Sequence, residues 1–237
     1  MTPAFGLPLE YPSIHLVHSF DELIATPFVN GVNALCWGRA LPGDFGEVVR
    51  LLGPGEGIVT IEDTQLEDLP VGPAGRIAVE LLLEDLRLLR ARESEPVLNC
   101  IHSYPRDENP GPVSTDVFSF HADSAPVETD TWLCTYHGPA SEGLPNDQAR
   151  RRVDNPETRG ALLRQFGGPD DATFLEYLSE HHYDLHYAPL PNAQPYSFGL
   201  GNLWRIAVDW PGSPVLPCIH RAPEHTPDQP PRLLLIS

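Results

Sequence analysis

Val117-Phe118-Ser119-Phe120-His121-Ala122-Asp123 is the stretch on which the reading of this chain turns. Taken as a β-strand, its period of two puts Ser119, His121 and Asp123 on one face and Phe118 and Phe120 on the other. An imidazole and a carboxylate then converge on one point. The surrounding sequence has the texture that a strand here requires. From Pro96 onward, short apolar or alternating runs cover 97–104, 114–123, 131–137, 203–208, 215–220 and 232–236, separated by Pro, Gly, Asn and Asp. Many short strands with turns between them indicate a sandwich or barrel.

Helical spacing appears elsewhere. Between Pro73 and about Ser94, Ile77, Leu81, Leu82, Leu88 and Leu89 recur among Glu80, Glu84, Asp85, Arg87 and Arg90, which predicts a helix that buttresses a sheet. Shorter helices are predicted over 46–52, 158–166 and 172–182. The expected fold class is mainly β with flanking helices (α+β). It forms a single domain over 1–237, with an N-terminal helical and loop buttress over 1–95, a β core over 96–237 and a helical insertion at about 156–186.

Composition narrows the chemistry. The chain of 237 residues has 15 basic and 33 acidic side chains and a formal net charge of −18. Such a balance argues against nucleic acid and anionic membrane as partners. Every basic residue is Arg, so a Schiff-base lysine, a pyridoxal-phosphate lysine and a Walker-type phosphate loop are all excluded. The 27 Pro and 19 Gly are scattered through apolar segments, as loop punctuation in a folded chain. Met1 to Ser13 has neither a positive start nor an apolar run, and no stretch reaches the ~20 apolar residues of a membrane span. Cys36, Cys100, Cys134 and Cys218 form no C-x-x-C pair and read as buried thiols of a cytoplasmic protein.

A second imidazole, His220, closes the run Cys218-Ile219-His220. Two His and one carboxylate form the facial triad of non-haem Fe(II) oxygenases. Twelve positions on, Arg232 opens Arg232-Leu233-Leu234-Leu235-Ile236, and a guanidinium directed into a barrel grips a carboxylate through two parallel hydrogen bonds. H-x-D, a distal His and a following Arg together resemble the Fe(II)/2-oxoglutarate-dependent dioxygenases, whose core is a double-stranded β-helix, the jelly-roll of the cupins. The segment Phe198-Gly199-Leu200-Gly201-Asn202-Leu203-Trp204 is similar to the turn and strand that precede the distal His in that family.

The resemblance covers roughly 97–237. It implies Fe(II) held by His121, Asp123 and His220, 2-oxoglutarate bound through Arg232, and O2 as co-reactant in hydroxylating an unactivated C–H bond. Asp123 supplies the carboxylate that related halogenases lack, so halogenation is disfavoured. The family's Arg-x-Ser is here Arg232-Leu233-Leu234, so the helper hydroxyl must come from elsewhere, with Tyr104 and Tyr136 as candidates. With nucleic acid and anionic membrane disfavoured by the charge, the expected substrate is a small molecule such as an amino acid or natural-product intermediate, a peptide or protein target staying open, with Trp132, Arg150 and Arg152 as candidate contacts. Arg221 is a rival to Arg232 that strand alternation turns away from the metal.

Two other readings stay open. One is a cupin-type metalloenzyme without 2-oxoglutarate, in which Arg232 is structural. The other is a non-catalytic β-helix that binds a ligand or partner, with His121 a satisfied core histidine and Asp123 a turn cap. His182 and His186, one helical turn apart, have a spacing that binds zinc, although a polar helix end explains them as well. Gly138 to Gly143 reads as a loop, and Arg150-Arg151-Arg152 as a solvated face or a site for an anionic substrate.

Overall fold

The computed structural model describes residues 11–92, 94–106, 111–224 and 229–237. In chain order the elements are β1 (Ile14–Val17), α1 (Phe20–Ala25), β2 (Ala34–Trp37), α2 (Phe45–Leu52), β3 (Ile58–Ile61), α3 (Asp63–Glu67), α4 (Pro73–Arg90) and β4 (Val97–Ile101). They continue with β5 (Phe120–His121), β6 (Asp130–His137), β7 (Glu142–Leu144), β8 (Ala149–Arg151), α5 (Pro156–Phe166), α6 (Ala172–Glu180), β9 (His186–Pro189), β10 (Tyr196–Ser197), β11 (Leu203–Ala207), β12 (Ile219–Arg221) and β13 (Arg232–Ile236). Two sheets result, with orders β1-β2-β11-β6-β13-β4-β3 and β10-β7-β12-β5-β9-β8. The architecture is therefore mixed α and β, with one of the two sheets curled into a half-barrel. Among the described residues no helix is long and apolar enough to cross a membrane.

The inner strands of the seven-stranded sheet are buried on both faces. On its outer face Trp132, Cys134 and Tyr136 of β6, with Leu233 and Leu235 of β13, pack against the helices. The alternate residues Leu133 and Leu234 join Trp204, Phe198 and Cys218 in a second core between the sheets. The helical layer rests on α4, where Ala78, Val79, Leu82, Leu86 and Leu89 form one buried stripe at helical spacing. Gly43, at φ +108°, lets the loop before α2 touch α4, since a Cβ there would lie 2.8 Å from the Ala78 nitrogen. A third core, Val113, Val153, Leu162, Phe174 and Leu178, holds α5 and α6 together.

The structure departs from the sequence reading in several places. The segment expected as a buttress over 1–95 contributes β1, β2 and β3 to the seven-stranded sheet. Of the expected strand 114–123 only Phe120 and His121 are paired as a strand. Asp116 accepts hydrogen bonds from the Phe118 and Ser119 N–H groups and bends the chain just before it. The expected helix 172–182 stops at Glu180, and His182 takes a left-handed φ of +56°. His182 and His186 therefore do not share a helix. All four cysteines are buried and unbridged.

Candidate metal centre

Strand register brings the candidate ligands together. In the six-stranded sheet β12, β5 and β9 are neighbours, with His220 opposite His121 and His121 opposite His186. Directly paired residues point to the same face, so three imidazoles stand in a row. Asp123 follows His121 by two, past the end of β5. Its backbone is still held there, because the Ala122 N–H donates to the Leu185 carbonyl and the Asp123 carbonyl accepts from the Asp209 N–H. Nε2 of His121 lies 3.9 Å from Asp123 Oδ1, and Nε2 of His220 lies 3.8 Å from Oδ2. The three ligand atoms fall within 4.8 Å of one another. Atoms bonded to one transition metal at ~2.0–2.2 Å lie within about 4.4 Å of one another, so the set is close to the spacing a metal site needs.

The surrounding hydrogen bonds orient this set. His121 Nδ1 is 2.7 Å from the Ser119 carbonyl and His220 Nδ1 is 3.4 Å from the Cys218 carbonyl. With Nδ1–H given to a carbonyl, each ring keeps the Nε2 lone pair for a metal. The Thr131 hydroxyl donates to Asp123 Oδ2 at 2.6 Å. Burial, reinforced by the neighbouring His220, pushes His121 down to about 4. Burial opposes charge on Asp123, yet His220, the Thr131 hydrogen bond and His121 together hold it below the ordinary carboxylate range. At neutral pH His121 is thus a neutral imidazole and Asp123 a carboxylate, the protonation states a metal requires. This donor set fits a transition metal with open coordination positions.

Burial also lowers His186 to about 4, with His121 contributing next. Because both imidazoles titrate from 6.5 in the unfolded chain, the unfolded state takes up protons between pH 6.5 and 4 that the folded state refuses. Stability of the metal-free protein is expected to be full above about pH 6.5 and to fall as the pH drops toward 4. Denaturant midpoints measured across this range check it, and His186→Gln should flatten the slope. A midpoint that rises on acidification would contradict the assignment.

Arg232 is 1% exposed and has no acidic partner among the described residues. Its Nη1 donates to the Tyr104 hydroxyl at 2.5 Å, and its Nη2 to the hydroxyls of Ser141 at 2.9 Å and Thr135 at 3.5 Å. Its Nε has no hydrogen-bond partner among the described residues. A cavity of about 330 Å³ is lined by Arg232, Tyr104, Ser141 and the three candidate ligands, with Ile101, Leu133 and Leu234 as apolar walls. The rival Arg221 is occupied, since it pairs with Glu142 at 2.6 Å and covers the Phe120 ring.

The remaining sequence candidates lie elsewhere. Tyr136 is on the opposite face of β6, where its hydroxyl donates to Asp85 at 2.6 Å. Trp132, on that same face, packs near Phe20 and the Arg205 guanidinium. Arg150 is exposed on edge strand β8, opposite Ala188, and Arg152 sits in the 3-10 turn that follows. Neither lines the cavity. Two histidines not counted among those candidates, His102 and His137, share a groove with Arg50 that none of the triad lines. Sequence reasoning missed Thr131, Thr135 and Ser141, and it paired His186 with His182 when its neighbour is His121. Period two from Leu133 could have placed the two threonines on the inner face, whereas Ser141 lay in a segment read only as loop. No protein-family model and no curated protein matches the chain.

Proposed function

We propose that this protein is a non-haem Fe(II)/2-oxoglutarate-dependent oxygenase that hydroxylates a small molecule, built on a double-stranded β-helix. The carrying observation is Arg232: a buried guanidinium without a carboxylate partner among the described residues, in the same cavity as a His-Asp-His set. A buried charge lacking a counter-ion is costly, and a cavity that retains one is suited to an anion. Two facing sheets, with the two histidines on adjacent strands of one and Arg232 on the other, support the β-helix reading. Bound here, Fe(II) with 2-oxoglutarate and O2 supplies the oxidation of a C–H bond, with release of succinate and CO2.

The chain's own contribution is positioning. His121, Asp123 and His220 hold the metal from one side, which leaves the remaining positions open. Arg232 binds the distal carboxylate of the cosubstrate through charge-assisted hydrogen bonds, and the Tyr104, Ser141 and Thr135 hydroxyls keep the guanidinium in place. Ile101, Leu133 and Leu234 exclude water from the cavity walls.

The test is anaerobic addition of Fe(II) and then 2-oxoglutarate to metal-free protein, followed by the weak visible charge-transfer band of the chelate. A band is expected in the wild type. His220→Ala is expected to abolish it through loss of iron, and Arg232→Met through loss of the cosubstrate. Iron binding without a band would favour a cupin-type enzyme that does not use 2-oxoglutarate. No iron binding would leave a ligand-binding domain.

A further inference from the structure

A second cavity, of about 560 Å³, adjoins the first, and Val117, His121, Asp123 and Ile236 line both. Arg232 belongs only to the first and His186 only to the second. Their chemistry differs accordingly. Among the described residues no arginine lines the second cavity, and apart from the ligand Asp123 the acidic side chain there is Asp116. Arg152, whose field reaches His186, is not part of the lining.

Asp116 is held for recognition. Its Oδ1 accepts the N–H groups of Phe118 and Ser119, both at 3.1 Å, which fixes the carboxylate. No arginine pairs with it among the described residues. A second, independent feature is His186, which lines the cavity, is 4% exposed and has no hydrogen-bond partner for its Nδ1 among the described residues. Buried polar groups without partners in the protein are sites at which a ligand supplies the missing bond. The chain's charge of −18 adds an overall field that draws cations.

We infer that the second cavity receives a small molecule bearing a protonated amine, with the Asp116 carboxylate as its counter-charge. Only the further step, that this molecule is the one oxidised, rests on the oxygenase reading. A neutral or anionic molecule of the same size would leave Asp116 uncompensated beside it.

Calorimetric titration of the full chain in the presence of Zn(II) tests this with putrescine as the probe and 1,4-butanediol as its neutral counterpart. Putrescine is expected to bind at least tenfold more tightly than the diol. Asp116→Asn, which keeps Oδ1 for the two N–H groups, is expected to cost at least tenfold. Glu128→Gln, which alters an exposed charge that does not line the cavity, should change nothing. Equal binding of the two compounds, full binding by Asp116→Asn, or an equal loss in Glu128→Gln would each overturn the inference. The Fe(II)/2-oxoglutarate band, recorded on the same proteins, separates the two questions. Its absence from the wild type would remove the oxygenase reading and leave amine binding to stand or fall on the titration. A band without selective amine binding would remove only the amine site.

Discussion

Arg232→Met is expected to lower affinity for 2-oxoglutarate about a hundredfold or more while leaving the melting temperature unchanged or raised. The two effects part because the guanidinium is buried and has no acidic partner among the described residues. Burial pulls its pKa down, with the Tyr104 hydroxyl opposing, so the folded chain bears a charge it does not compensate. Replacing buried ions with apolar side chains of similar size is commonly neutral or stabilising by about 1–4 kcal/mol. Against this, the hydroxyls of Tyr104, Ser141 and Thr135 each lose a donor, at about 1 kcal/mol apiece. The two contributions nearly cancel. Cosubstrate binding has no such compensation, since loss of a buried charge-assisted pair costs roughly 2–5 kcal/mol. Arg232→Lys is not expected to rescue binding, because an ammonium lacks the planar fork. Thermal unfolding and anaerobic titration of the chelate band measure the two effects separately. A variant that melts much lower yet binds 2-oxoglutarate normally would make Arg232 a structural residue.

How far the sequence carried the reading depended on where information resides in each element. His121 and Asp123 were legible because period two is a property of the backbone, and two residues suffice to set it. The row of three histidines was not, because which strands become neighbours is decided by the whole sheet. His186 faces His121 only once β9 has returned beside β5. The face on which Trp132, Cys134 and Tyr136 lie was ambiguous for another reason. Residues 131–136 are all buried, so no polar alternation distinguishes the side toward the helices from the side toward the cavity. The same applies to β2, whose Ala34, Leu35 and Cys36 are fully buried and carry no strand signature beyond apolarity. Helix α4 was readable from its first residue by its helical spacing, but the reading ran past its end at Arg90 to about Ser94 and set Asp85, which is buried, on the charged side and Ile77, which is exposed, on the apolar one. The turn at Asp116 was hidden inside a run that otherwise reads as a strand, and it is this turn that makes β5 short and leaves Asp116 facing the second cavity.

The opposite face of the sheet carries the largest expected effect on stability. Asp85, on the buried stripe of α4, accepts two hydrogen bonds from Arg39, at 2.7 and 2.8 Å, and a third from the Tyr136 hydroxyl at 2.6 Å. Arg39 also donates to the Gly201 carbonyl at 2.9 Å and lies over the Trp37 ring. The side chains of Arg39 and Asp85 are 8% and 3% exposed. Burial works against charge on Arg39, but the hydrogen bonds to Asp85 and the surrounding acidic groups outweigh it and raise its pKa. The network thus joins α4, the segment after β2, strand β6 and the turn before β11 at one point. Asp85→Leu would leave the Arg39 charge buried without its partner, a change that typically costs about 3–5 kcal/mol. For a chain of this length that corresponds to a fall in melting temperature on the order of 10 °C. Arg39→Met combined with Asp85→Leu should recover most of the loss, because the pair removed together leaves no orphan charge. Metal affinity should survive in both variants while they remain folded, since β6 presents Thr131, which donates to Asp123, on its other face. If the double variant proves as unstable as the single one, the network acts through packing and the hydrogen bonds to Tyr136 and Gly201, not through compensation of charge.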